Sequence, residues 1–227
     1  MRNKIQQSLY SIIQPFVSMM ISGKISPNTV SLLGFVFNVV MSVVFVIGGH
    51  FGDREQFGYI GLGGAMILFA GIFDMIDGQV ARQGGKSTKF GALFDSVLDR
   101  YSELIMFFGI CYFFTAHNYF LSSIFAFLAL IGSMMVSYVR SRAEGLGIEC
   151  KVGLMQRPER IITIGLAGIL CWLVSLMKGN IEYTCCGIKL FETISIFAIP
   201  IFVVALLSNY TAIHRLYHCY KVLGDEK

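Results

Sequence analysis

Five stretches of the chain run without Asp, Glu, Lys or Arg for about the length that crosses a bilayer: residues 30–49, 57–73, 119–139, 161–177 and 193–213. A helix needs roughly 17–25 apolar residues to traverse the hydrocarbon core, so each stretch predicts a transmembrane helix. A sixth, 91–116, is apolar only beyond Glu103, because its first turns hold Asp95, Asp99 and Arg100. Ahead of these, Ile5, Leu9, Ile12, Ile13, Phe16, Met19 and Met20 recur at helical spacing among Asn3, Lys4, Gln6, Gln7 and Gln14. That pattern predicts an amphipathic helix over 1–25 lying in the membrane interface. Ser26-Pro27-Asn28-Thr29 then offers a cap and a first-turn proline to open the first span. The expected architecture is an all-α integral membrane protein: an interfacial helix over 1–25, a six-helix bundle over 28–213 and a tail over 214–227.

Composition agrees. Of 227 residues 55% are hydrophobic and 14% charged, with a mean hydropathy of +0.68, which excludes an ordinary soluble domain. No internal repeat, low-complexity tract or long linker interrupts the spans, so one membrane domain is expected and a separate soluble catalytic domain is excluded. Residues 1–20 lack a sustained apolar core and a small-residue cleavage site, so no cleavable leader is expected. With six spans both termini share a side. That side holds fourteen of the 18 Lys and Arg, in 1–29, 82–89, 140–160 and 214–227, against Arg54, Lys178 and Lys189 opposite. By the positive-inside rule both termini and the basic loops face the cytoplasm of a multi-pass cell-membrane protein. Cys111 and Cys171 fall inside spans and Cys150 and Cys219 on the reducing side, so the six cysteines predict packed or free thiols; only the adjacent Cys185 and Cys186 lie elsewhere.

The chemistry is concentrated where the second span ends and the third begins. Asp74 and Asp77 stand three residues apart, Asp95 and Asp99 four apart, so each pair projects from one helix face. The short connection predicts that the two helices are antiparallel neighbours. Four ionisable groups at membrane depth cost at least a few kcal/mol each, and the sequence supplies no four matching cations. An all-oxygen cluster of this kind suits hard divalent ions such as Mg²⁺ or Mn²⁺, whose open positions take phosphate oxygens. Gly78 and Gly91 permit close approach to the backbone, and Arg82, about a turn past Asp77, can fork onto a diphosphate.

The full pattern Asp74-x2-Asp77-Gly78-x2-Ala81-Arg82-x8-Gly91-x3-Asp95-x3-Asp99 resembles the signature of the CDP-alcohol phosphotransferases, with every position filled. The resemblance implies that Asp74, Asp77 and Asp95 bind a dinuclear metal centre. It implies that Asp99 contacts the second ion and serves as general base. Gly78, Arg82 and Thr88, with Asn28 and Ser31 at the start of the first span, would hold the nucleotide of CDP-diacylglycerol. A homodimer is implied, together with membrane lipids as surroundings and no nucleic-acid partner.

The acceptor alcohol has to be read elsewhere. Arginines gather in Arg140-Ser141-Arg142 and Arg157-Pro158-Glu159-Arg160. Composition alone leaves two readings open: positive-inside topology, or recognition of a phosphate carried by the acceptor. The run from Ser137 to Gly147 and the Arg-Pro-Glu-Arg element resemble those of prokaryotic phosphatidylinositol-phosphate synthases. That resemblance implies an inositol phosphate acceptor held by Arg140, Arg157 and Arg160, with glycerol phosphate, free inositol or serine as alternatives. Two rival classes differ in pattern. A prenyltransferase would divide its aspartates between separate motifs on a longer bundle, and a cation transporter would place carboxylates at the midplane among spans paired by Gly/Pro interruptions.

Overall fold

The computed structural model describes residues 13–185 and 188–224, without the side chains of 185 and 188–190. Seven helices occur among the described residues: α1 (Ile13–Ser22), α2 (Pro27–Phe51), α3 (Gly58–Gln83), α4 (Lys89–Ala116), α5 (Phe120–Gly145), α6 (Arg157–Lys178) and α7 (Ser195–Gly224). Five of them, α2, α3, α5, α6 and α7, are long and apolar enough to cross a membrane. α4 has the length, 28 residues, but carries Asp95, Asp99, Arg100 and Glu103 in its first half.

Local sequence sets the helix ends. Ser26 caps α2 by accepting the Thr29 N–H on its hydroxyl at 3.2 Å, and Pro27 occupies the first turn, where its missing N–H costs nothing. Thr88 does the same for α4, accepting the Gly91 N–H at 2.9 Å. Pro158 sits in the first turn of α6, which ends at Gly179 with φ 69°, a left-handed value suited to glycine.

The six long helices close into a ring. α2 packs on α4, α4 on α5, α5 on α7, α7 on α6, α6 on α3, and α3 back on α2. The expectation that α3 and α4 are packed neighbours is therefore corrected: both lean on α2, which stands between them. A physical reason lies in the side chains, since Ser31 of α2 reaches in to Asp77 of α3 at 2.6 Å. Toward one end the ring interior is apolar, filled by Phe45, Phe107, Phe113, Phe114 and Phe197, none more than 1% exposed. Toward the other it is charged.

Three further differences from the sequence reading stand out. A short antiparallel hairpin, β1 (Glu182–Cys185) with β2 (Ile188–Glu192), joins α6 to α7 where only a loop was expected. The last span continues as helix through the supposed tail to Gly224. Within α1, Ile13 and Val17 are buried against Val30, Ile76 and Val80, whereas Phe16 and Met19 are exposed. Ile5, Leu9 and Ile12 of the expected interfacial helix lie outside the described residues. Cys111, Cys150, Cys171 and Cys219 are free thiols; the Cys185 and Cys186 side chains lie outside the described set.

Glycines let α3 and α6 approach backbone to backbone. A Cβ on Gly64 would fall 2.6 Å from the Gly165 carbonyl oxygen and 3.1 Å from the Gly168 Cα, the small-residue packing common between membrane helices. Gly64→Val must push the two backbones apart and is expected to destabilise the fold by about 1–3 kcal/mol, the usual range for overpacking. Gly145→Ala, which meets nothing within 4 Å, is the matched control. Thermal unfolding in detergent should show several degrees lost for the first and little change for the second.

Candidate active site

Helix ends meet at the charged end of the ring. The last turns of α3 bring Asp74, Asp77, Gly78 and Arg82, the first turns of α4 bring Asp95 and Asp99, and α2 brings Asn28 and Ser31 from its first turns. All five residues expected at the nucleotide, Asn28, Ser31, Gly78, Arg82 and Thr88, line one cavity of about 180 Å³ with Asp77 and Asp95 on its wall. Its glycines have steric reasons. A Cβ on Gly78 would sit 3.3 Å from the Arg82 guanidinium, and one on Gly91 3.0 Å from the Thr88 hydroxyl and 3.3 Å from the Asn28 side-chain oxygen Oδ1. Glycine leaves both clusters free of that crowding. The first-turn N–H groups of α2 and α4 add partial positive charge around the cavity, which suits an anionic ligand.

A second polar cavity, about 330 Å³, opens on the other side of Asp95. Asp99, Arg100, Arg140, Arg157, Arg160 and Arg215 contribute to its lining with Asp95, which among the described residues is the one common to both cavities. Arg140 is about half exposed and pairs with Glu144 at 2.9 Å. Arg157, the first residue of α6, places Nη1 at 2.7 Å from both an Asp74 and an Asp99 oxygen. A cation at a helix N-terminus opposes the helix dipole, so those two carboxylates offset an otherwise poor location. Arg160, expected beside them, also lines this cavity, with its guanidinium held inward. It is 1% exposed, donates to Glu103 from Nε at 3.1 Å and Nη2 at 2.6 Å, and gives Nη1 to the Met155 carbonyl at 3.1 Å.

The donor set fits a hard divalent ion in kind: four carboxylates from two helices flanking α2, open to a polar cleft. Among the described residues no three such groups are gathered closely enough to hold an ion as they stand, and the Arg157 guanidinium bridges Asp74 and Asp99. Sequence reasoning passed over four residues here. Arg100 donates to the carbonyl and hydroxyl of Ser96 and, at 2.8 Å, to the Ser141 hydroxyl. Arg215, taken only as a topological charge, is 2% exposed and donates at 2.8 Å to the carbonyls of Val152 and Val136. Glu103 and its partner Ser133, which donates at 2.6 Å, are buried. Only spacing could have flagged Glu103, one turn past Asp99.

Comparison with known proteins places the chain. The sequence model of the CDP-alcohol phosphatidyltransferases matches residues 24–204. Archaetidylinositol phosphate synthase of Pyrococcus horikoshii is 31% identical over 98% of this chain and 96% of its own length. The same-named enzyme of Methanothermobacter thermautotrophicus is 49% identical over 108 residues, 48% of this chain, a match that spans about half, 52%, of that relative. Phosphatidylinositol phosphate synthase of Mycobacteroides abscessus is 31% identical over 72% of this chain and 70% of its own. In fold, the chain resembles Mycobacterium tuberculosis phosphatidylinositol phosphate synthase solved with CDP-DAG, with a TM-score of 0.72 at 24% identity over 92% of this chain and 94% of that one. The structure of that enzyme with manganese and citrate gives a TM-score of 0.73 at 24% identity over 91% and 88%.

The Glu103–Arg160 pair makes a direct test of the buried charge. Glu103→Leu strands the Arg160 guanidinium and is expected to cost about 3–5 kcal/mol, whereas Glu103→Leu with Arg160→Met removes both charges and recovers most of it. Unfolding midpoints of the two variants check this; equal losses would mean that packing volume, and not charge pairing, sets the cost.

Proposed function

The chain belongs to the CDP-alcohol phosphatidyltransferase family, and on that footing we propose that it transfers the phosphatidyl group of CDP-diacylglycerol to a hydroxyl of inositol phosphate and releases CMP. The observation that carries this reading is that two cavities share Asp95 in their walls. One is walled by Arg82, Thr88, Asn28 and Ser31 and suits a nucleotide diphosphate. The other is walled by arginines and suits a phosphorylated alcohol. The products named for the relatives, archaetidylinositol phosphate and phosphatidylinositol phosphate, share the inositol phosphate headgroup, which favours that acceptor over glycerol phosphate, free inositol or serine. Family membership sets aside the cation transporter and the prenyltransferase.

The positions of the residues support a mechanism. Arg82 holds the diphosphate, and Asn28, Ser31, Gly78 and Thr88 form the walls that receive the cytidine side. Arg140 and Arg157 hold the acceptor phosphate across Asp95, with Arg160 behind them. The Asp99 carboxylate accepts the proton of the attacking hydroxyl. That oxygen bonds to the lipid-side phosphorus, the bond from this phosphorus to the bridging oxygen breaks, and CMP leaves with the electron pair. Divalent ions, manganese in the mycobacterial structure and two per site by family resemblance, would be held by Asp74, Asp77, Asp95 and Asp99, supplying positive charge to the diphosphate oxygens.

The same reading extends to topology. α4 is the sixth span, a member of the ring that closes only with it, with Asp95, Asp99 and Arg100 half-buried. α1 lies in the interface, with Phe16 and Met19 toward lipid. The excess of Lys and Arg puts the site and both termini at the cytoplasmic face, and the family resemblance implies a homodimer.

Two measurements test this. Purified enzyme given CDP-diacylglycerol and Mn²⁺ or Mg²⁺ is expected to release CMP with inositol phosphate and not with glycerol phosphate, inositol or serine. Release with a different acceptor would keep the transferase and discard the arginine assignment. Asp99→Asn, folded and membrane-inserted, is expected to lose at least about a hundredfold in kcat, the lower range for removal of a general base; near-normal turnover would move that role elsewhere.

A further inference from the structure

Arg157 is held through one nitrogen of its guanidinium. Its guanidinium touches Asp74 and Asp99, while its Nε is buried without a partner. No hydrogen bond at Nε adds to those two contacts, so the height and rotation of the first turn of α6 decide which carboxylates the head reaches. Three residues on, Arg160 is held hard: Glu103 accepts two of its N–H groups, the Met155 carbonyl a third, and the second Glu103 oxygen accepts the Ser133 hydroxyl of α5. Both charged partners are nearly fully buried, 3% and 1% exposed.

Geometry makes these two ion pairs consecutive rungs. Glu103 follows Asp99 by four residues on α4, and Arg160 follows Arg157 by three on α6, so each upper partner lies about one turn above the lower on the same helix face. α4 packs closely on α2 and α5, and α6 on α3 and α7. Across the space between α4 and α6 these long side chains make the connection. A buried ion pair adds little net stability over an apolar pair of similar volume, and its best-attested use is to fix register. With a planar guanidinium forked onto one carboxylate oxygen, this pair fixes the rotation of α6 about its axis as well as its height.

We propose that Glu103 is a positioning residue for the transfer reaction: by clamping Arg160 to α4 and α5 it sets the first turn of α6 so that Arg157 faces Asp99 and the acceptor cavity. Neither Glu103 nor Arg160 lines the nucleotide cavity, whereas Arg160 lines the arginine-walled one beside Arg157, so their effect falls on the acceptor side. This rests on the assignment of the arginine-lined cavity to a phosphorylated acceptor.

The test separates positioning from stability. Wild-type enzyme is first assayed for CMP release with inositol phosphate; no release there would overturn the acceptor assignment without reference to Glu103. With that activity in hand, Glu103→Gln is expected to raise KM for inositol phosphate about tenfold or more while KM for CDP-diacylglycerol stays within about twofold, and Glu103→Asp, which keeps the charge, is expected to recover part of the difference. Should Glu103→Gln not fold, Glu103→Asp alone carries the comparison at smaller amplitude. A second readout needs no turnover: stabilisation of the Mn²⁺-loaded protein by inositol phosphate, followed as a rise in Tm. In an Arg157→Lys background the Glu103 substitution should no longer change that stabilisation, because its effect runs through Arg157. Equal changes in both KM values, or additive losses in the double variant, would show Glu103 to be structural only and overturn the proposal.

Discussion

Negative charge held inside an apolar bundle is the constraint from which the rest of this structure follows. Asp74, Asp77, Asp95, Asp99 and Glu103 project from two helices that otherwise read as membrane spans, and each ionised carboxylate at such depth costs a few kcal/mol unless it is matched. The chain matches them in layers. Arg160 satisfies Glu103 in the dry interior, Arg157 bridges Asp74 and Asp99 nearer the opening, and Ser31 supplies a neutral hydrogen bond to Asp77. Charge compensation thus falls from complete to partial toward the open end. What is left over is a negative site facing a polar cleft, the condition under which a divalent ion binds without the protein having to carry its own four cations.

The same constraint shapes the packing. Had α3 and α4 packed along their length, the carboxylates would have been pressed together with no room for a cation or a phosphate between them. Because α2 takes both helices, a gap remains that Asn28 and Ser31 border on one side and Arg157 on the other. Asp95 lines both cavities. In the proposed reaction two anionic reagents would have to overcome their mutual repulsion, and separate basic walls, Arg82 for one and Arg140 with Arg157 for the other, would answer that requirement better than one shared pocket.

The spans and the aspartate cluster were legible in sequence because lipid imposes strong rules: uncharged runs of fixed length, and a high cost for any exception. The Ser26 cap was equally local and read directly, whereas Thr88 was read only as an implied nucleotide contact and its cap on α4 was not. What escaped was whatever depended on packing between distant segments. That α2 separates α3 from α4 is decided by side chains on three helices, and a short connection between two helices says only that they run antiparallel. Arg160 and Arg215 look like surface charges of a basic loop, yet their burial depends on Glu103 and on carbonyls of Val136 and Val152, some 57 to 79 residues away along the chain. The hairpin between α6 and α7 was missed because strands of four and five residues carry little periodicity to detect.

Distance from the site does not make a contact irrelevant to it. α3 and α6 run antiparallel and touch backbone to backbone at Gly64 and Gly165, while Asp74 lies ten residues further along α3 and Arg157 eight residues back along α6. At 1.5 Å per residue those side chains stand roughly 12–15 Å from the crossing point. Stiff helices turn about such a point as levers, so a displacement of about 1 Å where the glycines meet reappears at comparable size between Asp74 and Arg157. A 2.7 Å ion pair cannot follow a movement of that size without breaking. The glycine contact therefore sets a distance that the charged end needs, and the Glu103–Arg160 clamp sets the rotation. Between them α6 has little freedom left, which is what a bundle must achieve if a single arginine is to stand between two carboxylates and a neighbouring cavity.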